Sequence, residues 1–404
     1  MKILFLTLAR IQSIEESGIY SDLLRKFRDM GHIVNIVCPS ERKYGTGTTL
    51  VTKNNVNILN VWTPNIQKTN IIEKGITTLT IEYFFKNAIK KFIKYKDIDL
   101  ILYSTPPITL TNLIKSLKKI TCAKTYLLLK DIFPQNAVDL NLLKHGGILY
   151  KYFRNKEKFL YEISDYIGCM SPANLRYILK NNPEIDSNKV EVNPNSVQIS
   201  NKSNMSTNKS KLYKQYNIPA DKVIFIFGGN LGVPQGINFL KENISFCSSI
   251  TNAFFLIIGN GTEYEELKKW TESEKRENVS LIKELPKLEY EALLKLSHVG
   301  LIFLNPLFSI PNFPSRLLSY MHNKMPVICA TDLATDIGRI AHENNFGFNC
   351  LASDKEKFYE YVVNLLDQDL RSKMGENAYR YLEKEYSVDV SYNKIIEKTL
   401  MLSV

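Results

Sequence analysis

Two kinds of hydrophobic pattern alternate along this chain: short unbroken apolar runs, and longer segments where apolar residues return every three or four positions. The runs read as strands buried on both faces, and the periodic segments as helices with one apolar stripe. Lys2–Thr7 predicts a strand, Ile19–Met30 a helix with Ile19, Leu23, Leu24 and Phe27 on one face, and His32–Cys38 a second strand after Gly31. Strand, helix, strand in that order predicts a right-handed crossover and a parallel sheet. Further strands are expected at Asn55–Val61, Asp99–Tyr103, Ala123–Leu129, Ile167–Ser171 and Val190–Val192, with helices over about 71–95, at Tyr150–Ile163 and from Pro172. Gln198–Lys211 is polar throughout and reads as a linker.

The pattern then starts again. Strands are expected at Val223–Phe227, Ala253–Ile258, Val279–Ile282, Val299–Leu304 and Pro326–Ala330, and helices at Ile237–Glu242, Glu263–Trp270, Leu288–Leu296, Arg316–His322 and Leu370–Glu385. The expected fold class is α/β, with two doubly wound Rossmann-like domains. The first covers 1–200, the linker 201–215 and the second 216–386, with a last helix over about 387–404.

Candidate chemistry lies where strands end, because open α/β sheets bind ligands at their carboxyl edge. The run VIFIFGGNLGVPQG (Val223–Gly236) passes from a buried strand into Gly228, Gly229 and Asn230, and on through Gln235 to a helix start. Such a turn can bring backbone N–H groups to a phosphate, or it can be a tight turn with no ligand. Phe313-Pro314-Ser315 leads into the helix at Arg316. Ser315 is expected to cap it, and Arg316 in the first turn opposes the helix dipole unless an anion binds there. In the first half, Glu16, Ser17 and Gly18 precede a helix at the sheet edge, and Lys130 and Asp131 terminate a strand. Each is a candidate to touch substrate; the other reading is an ordinary helix entry for Glu16, Ser17 and Gly18, and a cap on the next turn for Asp131.

Composition narrows the partners. The 404 residues carry a net charge of +11, but the lysines are dispersed and no nucleic-acid motif accompanies them. Six scattered cysteines without a CxxC pair read as reduced core residues, not a disulfide frame or a zinc site. The apolar N-terminus leads into an amphipathic helix and lacks a small-residue cleavage site, so a first strand is expected rather than a signal peptide. No apolar stretch reaches the roughly 18–20 residues of a membrane span. Ile81–Tyr95 interleaves aromatics with lysines, and places Tyr83, Phe84, Ala88, Phe92 and Ile93 near one face. It reads either as a helix packed on its own sheet or as one lying in a membrane interface.

Taken together, GIYSDLLRKFRDMGHIVNIV (Gly18–Val37), YSTPP (Tyr103–Pro107), KDIFPQNAVDL (Lys130–Leu140), EISDYIGCMSPANLRYI (Glu162–Ile178), VEVNPNSV (Val190–Val197), GGNLGVPQG (Gly228–Gly236), FLIIGNGTEYEEL (Phe255–Leu267) and FPSRLLSYM with PVICA resemble the GT-B glycosyltransferases of family 4. The likeness is to bacterial enzymes that build O-antigen or capsule repeat units, in particular those transferring N-acetylated amino or deoxyamino sugars. The resemblance implies two lobes facing a central cleft, with a last helix that returns to the first lobe. It implies a retaining transfer from a UDP-sugar to an undecaprenyl-diphosphate-linked saccharide, with no metal or cofactor. The enzyme would work at the inner face of the cytoplasmic membrane, held by helix 81–95, with no nucleic acid as partner. Donor contacts would fall on Gly228, Gly229, Asn230, Gln235, Lys283, Leu285, Pro314, Ser315, Arg316 and Ser319. Asp131 and Lys130 would orient or deprotonate the acceptor, beside Glu16, Ser17 and Gly18. The chain departs from the family pattern where two glutamates are usual, which align here with Pro311 and Ser319. It departs again where an Arg and a Lys are usual, which align with Asn230 and Gln235. Alternative readings are a nucleotide-sugar epimerase of the same fold, a non-catalytic nucleic-acid-binding protein, and a transferase-like subunit that has lost catalysis.

Overall fold

The computed structural model describes residues 1–66, 69–199, 209–273 and 277–400. The chain forms two units, Met1–Gln198 with Ser387–Val404, and Ile199–Tyr386. Of the expected linker over 201–215, residues 201–208 lie outside the described residues, and Lys209–Gln215 is a helix.

The first unit runs β1 (Lys2–Leu6), α1 (Ile19–Asp29), β2 (Ile33–Glu41), β3 (Thr49–Lys53), β4 (Val56–Thr63), α2 (Ile71–Phe92), β5 (Leu100–Ser104), α3 (Thr111–Thr121), β6 (Lys124–Leu129), α4 (Gln135–Asp139), α5 (Ile148–Ile163), β7 (Tyr166–Cys169), α6 (Pro172–Asn181) and β8 (Val190–Val192). Its sheet has the order β3-β4-β2-β1-β5-β6-β7-β8. Every pairing is parallel except β3 with β4, an antiparallel hairpin that the apolar pattern did not announce because all five residues of β3 are exposed. The helix α3 was also not read from the sequence; its Thr111, Leu113, Ile114 and Leu117 are buried. Chain order reverses between β1 and β5. Right-handed crossovers therefore put α1 on one face and α2, α3 and α5 on the other.

The second unit runs α7 (Lys209–Gln215), β9 (Val223–Asn230), α8 (Ile237–Phe246), β10 (Ala253–Asn260), α9 (Tyr264–Ser273), β11 (Val279–Lys283), α10 (Lys287–Leu296), β12 (Val299–Phe303), α11 (Arg316–His322), β13 (Val327–Thr331), α12 (Ile337–Glu343), β14 (Gly347–Leu351), α13 (Lys355–Asn364) and α14 (Gln368–Glu385). The sheet order is β11-β10-β9-β12-β13-β14, all parallel. Phe225, Phe227, Phe255, Ile257, Leu301 and Phe303 fill its core.

After α14 the chain returns to the first unit as α15 (Val388–Leu400). Its Tyr392 and Ile395 join the core formed by α1 and the sheet. The Tyr392 hydroxyl meets His32 Nε2 at 2.9 Å, its ring meets the Phe27 ring edge-on, and Asp389 pairs with Lys26.

The helix α2 corrects one expectation. Ile81, Phe85, Ala88 and Ile89 point inward and are buried, while Tyr83, Lys86, Lys90 and Lys91 are exposed. The apolar side of 81–95 is thus spent on its own unit; of the expected face Ala88 and Ile93 are buried, Phe84 and Phe92 half-buried and Tyr83 exposed, so the inward face is turned by about 45° from the expected one. Five of the cysteines are buried as expected, but Cys122 is exposed at the end of α3.

Because Ile395 is fully buried against α1, we expect Ile395→Ala to lower the unfolding free energy of the first unit by about 2–4 kcal/mol, read from urea denaturation.

Candidate functional site

In the second unit the order of strands reverses between β9 and β12, and a crevice at that switch point is where such sheets bind ligands. The two strands pair only at Phe225 and Ile226, opposite Val299 and Gly300, and then part. The Tyr320 hydroxyl plugs the opening: it accepts the Gly228 N–H at 3.3 Å and faces the carbonyls of Ile226 and Leu301 at 3.2 and 3.3 Å. The Gly228 amide is therefore already used. A side chain at Gly228 would also collide with the Tyr290 hydroxyl. Gly229 has φ +119°, a conformation that glycine alone adopts without strain.

Against this glycine lies Arg316. Its Nη2 is 3.4 Å from where a Cβ on Gly229 would sit, and its guanidinium lies 4.3 Å from the centre of the Phe227 ring. The hydroxyls of Tyr290 and Tyr320 bear on its charge, and burial lowers its pKa. Nη1 is buried with no hydrogen-bond partner, and among the described residues no carboxylate pairs with it. A desolvated cation without a counter-charge is costly, so the arrangement is complementary to an anion.

The remaining candidates divide. Ser315 already has helical backbone angles and its side chain makes no capping bond, so the expected N-cap is absent. The N–H groups of Leu317 and Leu318 bond the carbonyls of Pro314 and Ser315 in a tight first turn. Ser319 is exposed one turn further along. Asn230 and Gln235 bond each other at 3.1 Å, and Gln235 also accepts the Gly232 N–H, so both brace the turn. Lys283 ends the edge strand β11 with its ammonium 5.7 Å from the Tyr264 ring centre, and Leu285 follows half-buried. Two strand spacings, about 10 Å, separate β11 from β9.

In the first unit, the carboxyl ends of β1, β5 and β6 converge. Thr105 Oγ1 accepts the N–H groups of both Lys130 and Asp131, at 2.9 and 3.1 Å, and fixes the end of β6. Successive side chains leaving a strand point to opposite sides. Lys130 Nζ accordingly reaches the Asn193 carbonyl at 3.4 Å near Cys169, whereas the Asp131 charge bears on Tyr20, which hydrogen-bonds Ser104. The two do not form the charged pair that their adjacency suggested. Burial pushes the Lys130 amine down to about 7. The surrounding protein raises the Asp131 carboxyl above its ordinary range, although it keeps contact with solvent. Among the described residues nothing donates to that carboxylate. Burial, with Asp131 adding, raises Tyr20 to about 12. Glu16 and Ser17 are exposed just before α1. The Gly18 N–H is committed to Asp22, which also accepts the Gln198 N–H and pairs with Arg25.

Sequence reasoning passed over Tyr20, Thr105, Tyr290 and Tyr320. Only Tyr320 carried a usable signal, standing four residues after Arg316 and so on the same helix face. Among the described residues no three His, Cys, Asp or Glu side chains gather as metal ligands would.

Two Rossmann-like α/β units with parallel sheets define the class: this is the GT-B fold. Residues 208–381 match the model of the family Glycosyl transferases group 1. Over 333 residues the chain is 25% identical to the probable glycosyltransferase WbjE of Pseudomonas aeruginosa, covering 82% of this chain and 81% of that one. Sucrose-phosphate synthase of Thermosynechococcus elongatus has a similar structure, with TM-score 0.75, 13% identity, and 99% and 98% of the two chains covered. So does Anabaena Alr3699/HepE, solved in complex with UDP, with TM-score 0.68, 14% identity and both chains covered in full. The second unit thus carries a glycosyl transferases group 1 domain.

Lys130 gives a pH test of the first unit. Its folded pKa, about 7, lies below the unfolded lysine value near 10.4. Between those values the unfolded chain holds a proton that the folded one does not, so this group's contribution to stability rises with pH. Lys130→Met should be more stable than the parent at pH 7, and the difference should shrink towards pH 10. Melting curves across that range check it.

Proposed function

We propose that the chain is a glycosyltransferase moving a sugar, N-acetylated amino or deoxyamino in class, from a UDP-sugar to a lipid-linked saccharide in surface polysaccharide assembly. The observation that carries the reading is Arg316: a desolvated cation with no counter-charge, against Gly229, at the strand switch point of the unit that matches the group 1 family. A nucleoside diphosphate supplies the missing charge. UDP bound to the similar Anabaena protein supports the nucleotide, and the WbjE likeness supports the transferase class.

In the proposed reaction a hydroxyl of the acceptor bonds to the anomeric carbon as the bond from that carbon to the β-phosphate oxygen breaks. UDP departs with the bonding pair. Arg316 stabilises the charge growing on the leaving oxygen, the role that fixed dipoles and cations play in such steps. No metal has a part in this scheme. Ser319 would approach the ribose, and the chain at Lys283–Pro286 the base. On the acceptor side, the unpaired carboxylate of Asp131 accepts or orients the hydroxyl proton, and its raised pKa brings it nearer to a useful base. Retention at the anomeric carbon follows the resembled family, with attack from the face that the phosphate leaves.

Arg316→Ala should weaken UDP binding by about 1.5–3 kcal/mol, the range for a hydrogen bond to a charged group, in isothermal titration. Unchanged affinity would remove Arg316 from the site, and the reading with it. Asp131→Asn should cut turnover with a diphosphate-lipid saccharide acceptor by about a hundredfold or more while leaving UDP affinity within about twofold. A parallel loss of both would assign Asp131 a structural role.

A further inference from the structure

The first sheet has two edges, β8 and β3, and the chain treats them differently. β8 has only three residues. The Asn193 N–H bonds the Cys169 carbonyl on β7, so the Val192 carbonyl faces outward, and Lys394 of α15 takes it at 2.7 Å. β3 instead runs five residues in unbroken register with β4, with no bulge and no proline, and all five are exposed. Thr49, Val51 and Thr52 are β-branched and suit a strand, and Lys53 at the end is its one charge. Natural edges are usually blunted by shortness, charge, proline or cover, because their unpaired backbone groups recruit another strand. β3 has little of this protection.

Which groups of β3 are unpaired follows from how β4 is shared. The Asn55 carbonyl accepts the Val34 N–H of β2 at 2.9 Å, so the odd-numbered residues of β4 bond to β2, and Val56, Ile58 and Asn60 bond to β3. Their partners are Lys53, Val51 and Thr49. The turn agrees. Asn54 and Asn55 have φ of 47° and 61°, as in the two-residue turns that close a tight hairpin on a bonded pair, here Lys53 with Val56. Leu50 and Thr52 therefore turn their N–H and C=O groups outward.

These two residues stand symmetrically about Val51, so the edge is its own complement. A second copy related by a two-fold axis at Val51 sets Leu50 opposite Thr52 and Thr52 opposite Leu50, each pair exchanging two hydrogen bonds. All five residues are then paired. The two copies of Val51, 51% exposed, meet across the axis in the closer kind of antiparallel pair, and Leu50, 37% exposed, loses part of its contact with water. Lys53 falls opposite Thr49, which puts the two lysines at opposite ends of the ribbon. A foreign strand would require none of this symmetry.

We infer that the outer edge of β3 pairs antiparallel with β3 of a second copy of this chain, about a two-fold axis at Val51, and joins the two eight-stranded sheets edge to edge. Four strands separate β3 from β6, which ends beside Asp131, so the pairing uses none of the candidate site. The inference does not depend on the function proposed above.

The test is sedimentation velocity of the full chain over about 1–200 µM, in about 0.15 M salt, where repulsion between two chains of net charge +11 is screened beyond about 8 Å. The parent should pass from monomer to dimer and stop there, because a two-fold contact closes on itself. Leu50→Pro removes an outward N–H and leaves the bonds to β4 in place, a change that edge strands tolerate. It should weaken association by about tenfold or more. Val51→Lys and Val51→Glu each set like charges across the axis, so each alone should stay monomeric, whereas an equimolar mixture of the two should dimerise. A melting temperature equal to the parent's establishes that a variant is folded. The inference is overturned by a parent that stays monomeric or grows beyond the dimer. It is equally overturned by a dimer that Leu50→Pro or the single Val51 variants leave intact, or by a mixture of the two Val51 variants that stays monomeric.

Discussion

A guanidinium drawn largely out of water, with one buried nitrogen unpartnered and no acid to meet it among the described residues, is the charge around which the local structure of the second unit is arranged. Phe227 offers a ring face, which compensates a cation in part. Tyr290 and Tyr320 lie nearby, and Tyr320 also seals the gap where β9 and β12 separate. Gly229 is small enough for the approach, and Gly228 is required because Tyr290 occupies the space of a side chain. None of these neighbours neutralises the charge. The site is therefore incomplete on its own terms, and that incompleteness, more than any motif, argues for an anionic ligand.

The first unit reaches its chemistry by a different route. One threonine, Thr105, ties the ends of β5 and β6 through two backbone amides, and strand alternation then sends Lys130 and Asp131 apart. The lysine is drawn into a pocket with a carbonyl and a thiol for company, and the aspartate is left with Tyr20 and Ser104. Two adjacent ionisable residues thus have separate environments. That separation turns one towards the protein's interior and leaves the other in contact with solvent.

Most strands were legible because parallel strands buried on both faces are uninterrupted apolar runs; Val190–Val192 and the helix Arg316–His322 have the expected bounds. What escaped has physical reasons. The edge strand β3 has no buried face to leave a pattern. β14 and α12 span only five and seven residues, too few to show a period. The N-cap expected at Ser315 failed because that residue has already entered the helix. Within 81–95 the inward face was misjudged because apolar residues occur nearly all round the helix, and only packing decides which of them are covered. At the site, Arg316 was visible from its place in the first turn of a helix. The aromatic cage around it was not, because Phe227, Tyr290 and Tyr320 come together only when β9, α10 and α11 are assembled.

The return of α15 has a consequence for how the protein is made. Phe27 and Ile395 belong to one core, yet more than 360 residues separate them. A ribosome releases the sheet of the first unit long before it releases the helix that covers it. Until then the side of that sheet meant for α15 remains bare, while the second unit has all its strands and helices available. The unit made earlier is thus the one that closes later, and the nascent chain must be kept from associating through that uncovered face.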